Sequence, residues 1–463
     1  MLSFYDMTLS RRSFTMKKIY LENLGCAKNQ VDAETMLKIL NDDNYIRTDD
    51  VSEADLILVN TCGFIETARE ESINSFFSLH EANPEAKIIV SGCMAQRYAK
   101  ELEAELQEAS AVFGNRDLSK IHEVVAQVFQ GEHVVSTPEY PPLKEEAYER
   151  NELLSFPGSS YLKISEGCNH RCAYCAIPLI RGDLRSREMK AIVGEAKILI
   201  GRGIKELNLI AQDLAAYGTD RGDKESEFMD LLKQLVALEG DFSIRLLYIH
   251  PDAFPQELPQ FVVDNPKVLP YFDVPFQHAA TNVLRSMGRT GTKESYLALI
   301  DSIRSTVPGA VIRSTIMLGY PGEDAEAFED LKDFIKRAEL DWMGSFLYSR
   351  EEGTKAFDLR DEKAHEKAHK VAAGYQKKLE ALQSPITCRR LQQFVGKEYD
   401  VLIEEKVEGE DLAIGRIYAQ APEVDGLTVV MGRDLVPGTV IRCGVRTVNG
   451  LDLEAVPVER ANG

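Results

Sequence analysis

Several things are scarce in this chain, and each scarcity removes a class of function. Its 463 residues contain no apolar run near the ~20 residues that a membrane span needs, and a single tryptophan. Eight cysteines are too few for a disulfide scaffold at this length. Positive charge is also in deficit: 54 Lys and Arg stand against 74 Asp and Glu, a formal net charge of −20. That balance disfavours holding a polyanion over a broad surface and suits a basic partner. The remainder is ordinary for a globular enzyme, 44% hydrophobic and 28% charged, with length for two to four domains at ~100–200 residues each.

The amino terminus contains Ser10-Arg11-Arg12-Ser13-Phe14, which imitates a twin-arginine export signal. Lys17-Lys18-Ile19-Tyr20-Leu21-Glu22-Asn23 then follows without the apolar segment that export requires. Residues 1–16 therefore read as a loose extension, with Met16 an alternative start, and the protein as cytoplasmic. In that reducing compartment clustered cysteines point to metal or redox chemistry.

Hydrophobic periodicity divides the chain. Over residues 17–135 apolar runs (Ile19 to Leu24, Leu56 to Asn60, Ile88 to Ser91) alternate with helix-like stretches at Ala33 to Leu40 and Glu66 to Glu81, the pattern of a parallel-sheet α/β domain. Residues 136–158, rich in proline and charge, read as a linker. Six strand-like runs follow within 159–358, at Tyr161–Ile164, Leu207–Ala211, Ile244–Ile249, Tyr271–Val274, Val311–Leu318 and Phe346–Tyr348. Six units are fewer than a closed barrel's eight, so an open (β/α)6 partial barrel is expected, with its site at the carboxyl ends of the strands. Residues 359–393 read as a bridging helix and 394–460 as a small all-β barrel.

The strongest chemical signal is Cys168-Asn-His-Arg-Cys172-Ala-Tyr-Cys175, just past the first strand of the second unit. Three thiolates can occupy three corners of a cubane iron–sulfur cluster and leave the fourth iron open. Structural zinc is the alternative, but it usually takes four protein ligands from two separated pairs, and no second pair follows. Cys26, Cys62 and Cys93 form a subtler set. Each directly follows an apolar strand, and strands of one parallel sheet end on one edge, where three distant cysteines can meet.

The segment from Glu166-Gly167-Cys168 to Cys175 resembles the radical S-adenosylmethionine enzymes. Gly25-Cys26-Ala27-Lys28-Asn29-Gln30-Val31-Asp32, Asn60-Thr61-Cys62-Gly63-Phe64-Ile65 and Ser91-Gly92-Cys93, followed by the terminal barrel, narrow the resemblance to the radical S-adenosylmethionine methylthiotransferases. The resemblance spans about Lys17 to Pro457 and makes the terminal barrel a TRAM domain. It implies two 4Fe–4S clusters, one on Cys168, Cys172 and Cys175 and one on Cys26, Cys62 and Cys93. It also implies S-adenosylmethionine as methyl donor and radical source, a low-potential electron donor such as flavodoxin or ferredoxin, and a sulfur donor. The chemistry would sit on the clusters, with no side chain as catalytic acid or base.

Candidate cofactor contacts are Tyr174, packing on adenine or lying over the cluster, and Glu206, Gln212, His250, Gln277, Arg313 and the Gly319-Tyr320-Pro321-Gly322-Glu323 turn near strand ends. Cys388 and Cys443 read as structural. His365-Glu366-Lys367-Ala368-His369 matches a zinc-protease pattern, but its flanking charges describe a solvated helix face.

The resembled family divides into enzymes acting on an aspartate of small-subunit ribosomal protein S-twelve and enzymes acting on a transfer RNA adenosine. From Gln392 to Gly463 there are 13 acidic and seven basic side chains, a net of −6 that repels phosphate and suits a basic ribosomal protein. Asp273-Val274-Pro275-Phe276-Gln277-His278-Ala279-Ala280 and Lys28-Asn29 also resemble the protein-modifying branch, for which RNA contact is not required. An iron–sulfur sensor or binding protein is the alternative outside enzymes; it would not cleave S-adenosylmethionine.

Overall fold

The computed structural model describes residues 16–141, 149–222 and 225–458. The arginine pair at 11–12, part of the expected linker and the last residues of the expected barrel lie outside the described residues.

Strands β1 (Lys17–Asn23), β2 (Tyr45–Arg47), β3 (Leu56–Thr61), β4 (Lys87–Gly92), β5 (Ala111–Gly114) and β6 (Val134–Ser136) form a parallel sheet in the order β2-β1-β3-β4-β5-β6. Successive side chains of β3 point to opposite faces: Ile57 and Val59 pack under the helix Glu66–Ala82, while Leu56 and Leu58 pack under the helices Ala27–Asp42 and Ile121–Phe129. Buried on both faces, the strand is a continuous apolar run. β2, β5 and β6 were not expected from the sequence, because runs of three or four residues are too short to show a period.

β7 (Ser159–Lys163) opens the second unit, and the short β8 (Ser165–Glu166) and β9 (Arg185–Ser186) pair to bracket the cysteine-rich loop. β10 (Glu206–Ile210), β11 (Ser243–Leu246), β12 (Val268–Asp273), β13 (Val311–Leu318) and β14 (Trp342–Leu347) complete a six-stranded parallel sheet in the order β14-β13-β12-β11-β10-β7. The last strand begins four residues before the expected Phe346–Tyr348, because Trp342 starts it inside the protein. One sheet face carries Leu162, Leu209, Leu246, Phe272 and Ile312 against the surrounding helices. The other carries Tyr161, Tyr271, Val311 and Trp342 against the third unit.

That third unit is a closed barrel, β15-β16-β17-β19-β18, of β15 (Glu398–Lys406), β16 (Leu412–Arg416), β17 (Thr428–Met431), β18 (Val440–Asn449) and β19 (Asp452–Pro457). A helix, Glu362–Leu391, capped by Asp361 on the Ala364 N–H, connects it to the sheet. The single Trp342 donates from Nε1 to the Ala419 carbonyl at 2.6 Å and pins the barrel to the sheet. The three units interlock through buried charge. Arg150 pairs with Glu34 of the first unit and Glu195 of the second, so the segment expected to be only a linker carries a buried tie. No helix among the described residues is long and apolar enough to cross a membrane.

Candidate functional site

The first cysteine set is made by topology. β1, β3 and β4 are neighbours, and their carboxyl ends lead directly into Gly25-Cys26, Cys62 and Cys93. The sheet order reverses between β1 and β3, and open parallel sheets form their ligand crevice at such a point. The loops touch. A Cβ on Gly25 would lie 3.0 Å from Cys62 Cβ, and one on Gly92, whose φ is +95°, would lie 2.6 Å from Asn60 Oδ1 and the Thr61 carbonyl.

Asn29 organises the set: its amide donates to the carbonyls of Leu24 (3.0 Å) and Thr61 (2.9 Å), while its oxygen lies 3.2 Å from Cys93 Sγ. Burial, then the neighbouring Cys93 and Cys26, pushes the Cys62 thiol up to about 12. Cys26 goes the other way: burial opposes its ionisation, but Lys28, Arg181 and the backbone N–H groups of Asn29 and Lys28 outweigh it. Cys26 also lines a cavity of about 270 Å³ that includes Glu423 of the barrel unit.

The second set sits on the loop after β7. Cys168 N–H bonds to the Gly182 carbonyl, Cys175 N–H to the Cys172 carbonyl and Ala173 N–H to Met287, and Arg171 takes a φ of +54° to close the turn. Burial raises Cys175 to about 12 and Cys168 to about 11, with other thiols of the set adding to each rise. Half-buried thiols that crowd one another in this way suit a bound cation, which supplies the compensating charge. No three His, Cys, Asp or Glu side chains among the described residues converge on the point that a single metal ion needs. A cubane takes each thiolate on a different iron, so either triad could hold three irons and leave one open.

Along the carboxyl edge of the second sheet the expected contacts separate. Gln212 follows β10 with both amide atoms buried and without a partner among the described residues, and Gln277 follows β12 with a φ of +68° and its Oε1 equally unpartnered there. Such buried orphans suit a polar ligand. Tyr174 is buried against Cys172 and Cys175, with Arg289 donating to its hydroxyl at 3.2 Å. His250 stacks on His170 of the cysteine loop at 4.1 Å, and Asp213 binds both the His170 ring (2.6 Å) and the His250 N–H (2.9 Å). The Gly319 to Glu323 turn closes on itself through the Glu323 carboxylate and the Gly319 N–H.

Two expected contacts are corrected. Glu206 opens β10 at the amino edge, away from the cysteines, and bonds Arg245 (2.8 Å) and Arg416 of the barrel (2.9 Å). Burial alone would raise its carboxyl, but the two guanidiniums hold it near 2. Arg313 is engaged by Asp273 at 3.1 Å and by Asp425 of the barrel at 3.4 Å, so it positions neighbours instead of facing an open site.

Sequence reasoning missed the link between the two sets. Arg181, 2% exposed at its side chain, donates to Glu166 (2.8 Å), Asn29 Oδ1 (2.9 Å) and Asp32 (2.7 Å), and lies 3.5 Å from Cys93 Sγ. Lys163 bridges the same Asp32 and Glu166. An arginine six residues after Cys175 carries no motif of its own; only the fold gives it partners 149 and 152 residues away. The His365–His369 pair, by contrast, lies on the helix Glu362–Leu391 with its rings 5.9 Å apart and His369 exposed.

Comparisons with known proteins agree with this architecture. The radical SAM superfamily model matches residues 162–335, the TRAM domain residues 395–458, and a family described as uncharacterized protein family UPF0004 residues 18–114. A solved structure of TsrM, a radical S-adenosylmethionine methyltransferase from Kitasatospora setae, superposes with a TM-score of 0.53 at 15% identity, covering 71% of this chain and 72% of its own, a likeness of fold alone. Fold and site together define a radical SAM methylthiotransferase with a terminal TRAM barrel. A Treponema denticola protein named ribosomal protein uS12 methylthiotransferase RimO is 40% identical over 467 residues, spanning 94% of this chain and 99% of its own, and the Acetivibrio thermocellus protein of that name is 40% identical over 421 residues, spanning 89% and 91%. The chain belongs to this RimO family.

Proposed function

We propose that this enzyme places a methylthio group on the β-carbon of an aspartate in ribosomal protein uS12, in the cytoplasm. The observation that carries the reading is the pairing of two three-cysteine sites, one at the edge of each parallel sheet, joined by the buried Arg181. Cys168, Cys172 and Cys175 hold one 4Fe–4S cluster and Cys26, Cys62 and Cys93 the other. When bound, the clusters and S-adenosylmethionine supply the radical, the sulfur and the methyl group.

The chain's own part is to bind, align and exclude water. Gln212 offers its unpartnered amide and Gln277 its unpartnered Oε1 to S-adenosylmethionine, and Tyr174 closes the site beside the cluster. Arg289, buried, with no carboxylate partner among the described residues and its Nε unsatisfied, faces Cys172 and suits the carboxylate of the methionine moiety. Electrons come from a low-potential donor and sulfur from a separate donor. The choice of protein over RNA is supported by the acidic barrel and by the names of the relatives.

The test is mass spectrometry of uS12 and of transfer RNA after anaerobic incubation with reconstituted enzyme, S-adenosylmethionine, reductant and sulfide. A gain of a methylthio group on an aspartate of uS12 is expected. Modified adenosine would transfer the reading to RNA, and intact S-adenosylmethionine with neither product would leave a sensor.

A further inference from the structure

Buried cations in this protein come with carboxylates. Arg150 has Glu34 and Glu195, Lys163 and Arg181 share Asp32 and Glu166, Arg245 and Arg416 share Glu206, and Arg313 has Asp273. Two residues break the rule: Arg289, which still donates to the Pro275 carbonyl (2.7 Å) and the Tyr174 hydroxyl (3.2 Å), and Lys28. Lys28 is 8% exposed, on the first turn of the helix that Cys26 begins, and its ammonium has no hydrogen-bond acceptor or ion-pair partner among the described residues. Its one contact of note is the Tyr248 ring, whose centroid lies 3.7 Å from Nζ. The groups of opposite charge nearest to it are committed elsewhere: Cys26, the foremost, to the cluster that the proposed function places on it, Asp273 to Arg313 (3.1 Å) and the Tyr248 N–H (3.2 Å), and Glu166 to Arg181 (2.8 Å) and Lys163.

The seat under this ammonium is built under strain. Tyr248 follows β11 with a φ of +69°, a conformation unfavourable for an aromatic residue that persists only where its surroundings impose it. Its carbonyl accepts from Leu214 at 3.0 Å, and its N–H is held by Asp273. In strand order it stands between Gln212, whose two buried amide atoms are unpartnered among the described residues, and Gln277, whose Oε1 is. Lys28 thus projects from the Cys26 loop of the first unit onto the carboxyl edge of the second. An ammonium kept dry without a hydrogen-bonded carboxylate is costly unless a ligand supplies one.

We infer that Lys28 is the specificity residue for the target side chain, its ammonium pairing with the substrate carboxylate so that the adjacent carbon lies between the two cysteine sets. The inference rests on the proposed uS12 aspartate as substrate. A carboxylate answers the one missing partner at this position, whereas an asparagine amide or a nucleobase leaves the charge unmatched, and unmatched buried charge is a strong means of rejection.

The test uses reconstituted full-length enzyme with both clusters and a fluorescent peptide spanning the target aspartate of uS12, beside the same peptide with asparagine there. Wild-type enzyme is expected to bind the aspartate peptide at least about tenfold more tightly, the scale of one charge-assisted contact. Lys28→Met is expected to weaken only the aspartate peptide and bring the ratio near one, and Lys28→Arg to keep part of it. A tenfold preference that survives in Lys28→Met, or equal weakening of both peptides, overturns the inference and leaves Lys28 as packing or as a counter-charge to the cluster. Wild-type enzyme that methylthiolates uS12 yet binds both peptides alike overturns it while the proposed function stands. Wild-type enzyme that cleaves S-adenosylmethionine but leaves uS12 unmodified removes the function and the inference together.

Discussion

The two cysteine sites reach the same composition by opposite routes. Cys168, Cys172 and Cys175 lie within eight residues, and one loop bracketed by β8 and β9 suffices to gather them. Cys26, Cys62 and Cys93 lie 36 and 31 residues apart and meet only because β1, β3 and β4 are adjacent and parallel. The local site depends on turn geometry, the distributed one on a whole sheet. The distributed site is therefore the more exposed to changes in packing, and the local one to changes in its own loop.

The largest effects should separate the sites by function. Cys168→Ala is expected to abolish both cleavage of S-adenosylmethionine and sulfur transfer, whereas Cys62→Ala should retain cleavage, lose transfer and lose about half of the bound iron. Anaerobic product analysis with iron counting reads both, and transfer that survives Cys62→Ala would end the two-site account. Next comes the link: Arg181→Met leaves Asp32 and Glu166 one buried cation short, with an expected loss of about 3–5 kcal/mol in denaturant unfolding. Gly92→Ala forces a Cβ to 2.6 Å from backbone and side-chain oxygens, so iron should fall at the distributed site alone, with a stability loss of about 1–3 kcal/mol.

A smaller, graded effect follows from acid. The Glu206 carboxyl is held near 2, below its ordinary 4.5, so the contribution of its pairing with Arg245 and Arg416 is complete above about pH 5 and is lost as pH falls toward 2. Glu206→Gln should flatten that part of the pH–stability curve by a few kcal/mol, consistent with a shift of this size. The smallest effect is expected at the histidine pair on the long helix: His369→Ala on its exposed face should change stability by less than about 0.5 kcal/mol and leave sulfur transfer intact.

Much of the architecture was legible because it is periodic. Long apolar strands such as Leu56–Thr61 and Val311–Leu318 announce themselves, as do amphipathic helices between them, and the all-β barrel expected over residues 394–460 stands as five strands between Glu398 and Pro457. Three strands of three or four residues did not, since two alternations are needed before a period exists. Among the site residues, Gln212 and Gln277 could be placed by counting to a strand end, but the same counting misplaced Glu206, which lies at the amino edge of β10 and belongs to the barrel contact.

The sequence by itself determined the two cysteine sets, the order of three folding units and the acidic character of the last, because these depend on residue type, spacing and local hydrophobic period. The tertiary structure alone decided which charges meet: Arg181 with Asn29 and Asp32, Arg416 with Glu206, and Lys28 with an aromatic ring and no carboxylate. Pairing energies between residues 149 to 220 positions apart leave no local trace in the chain, since they exist only after the sheets have packed and water has been excluded from between them.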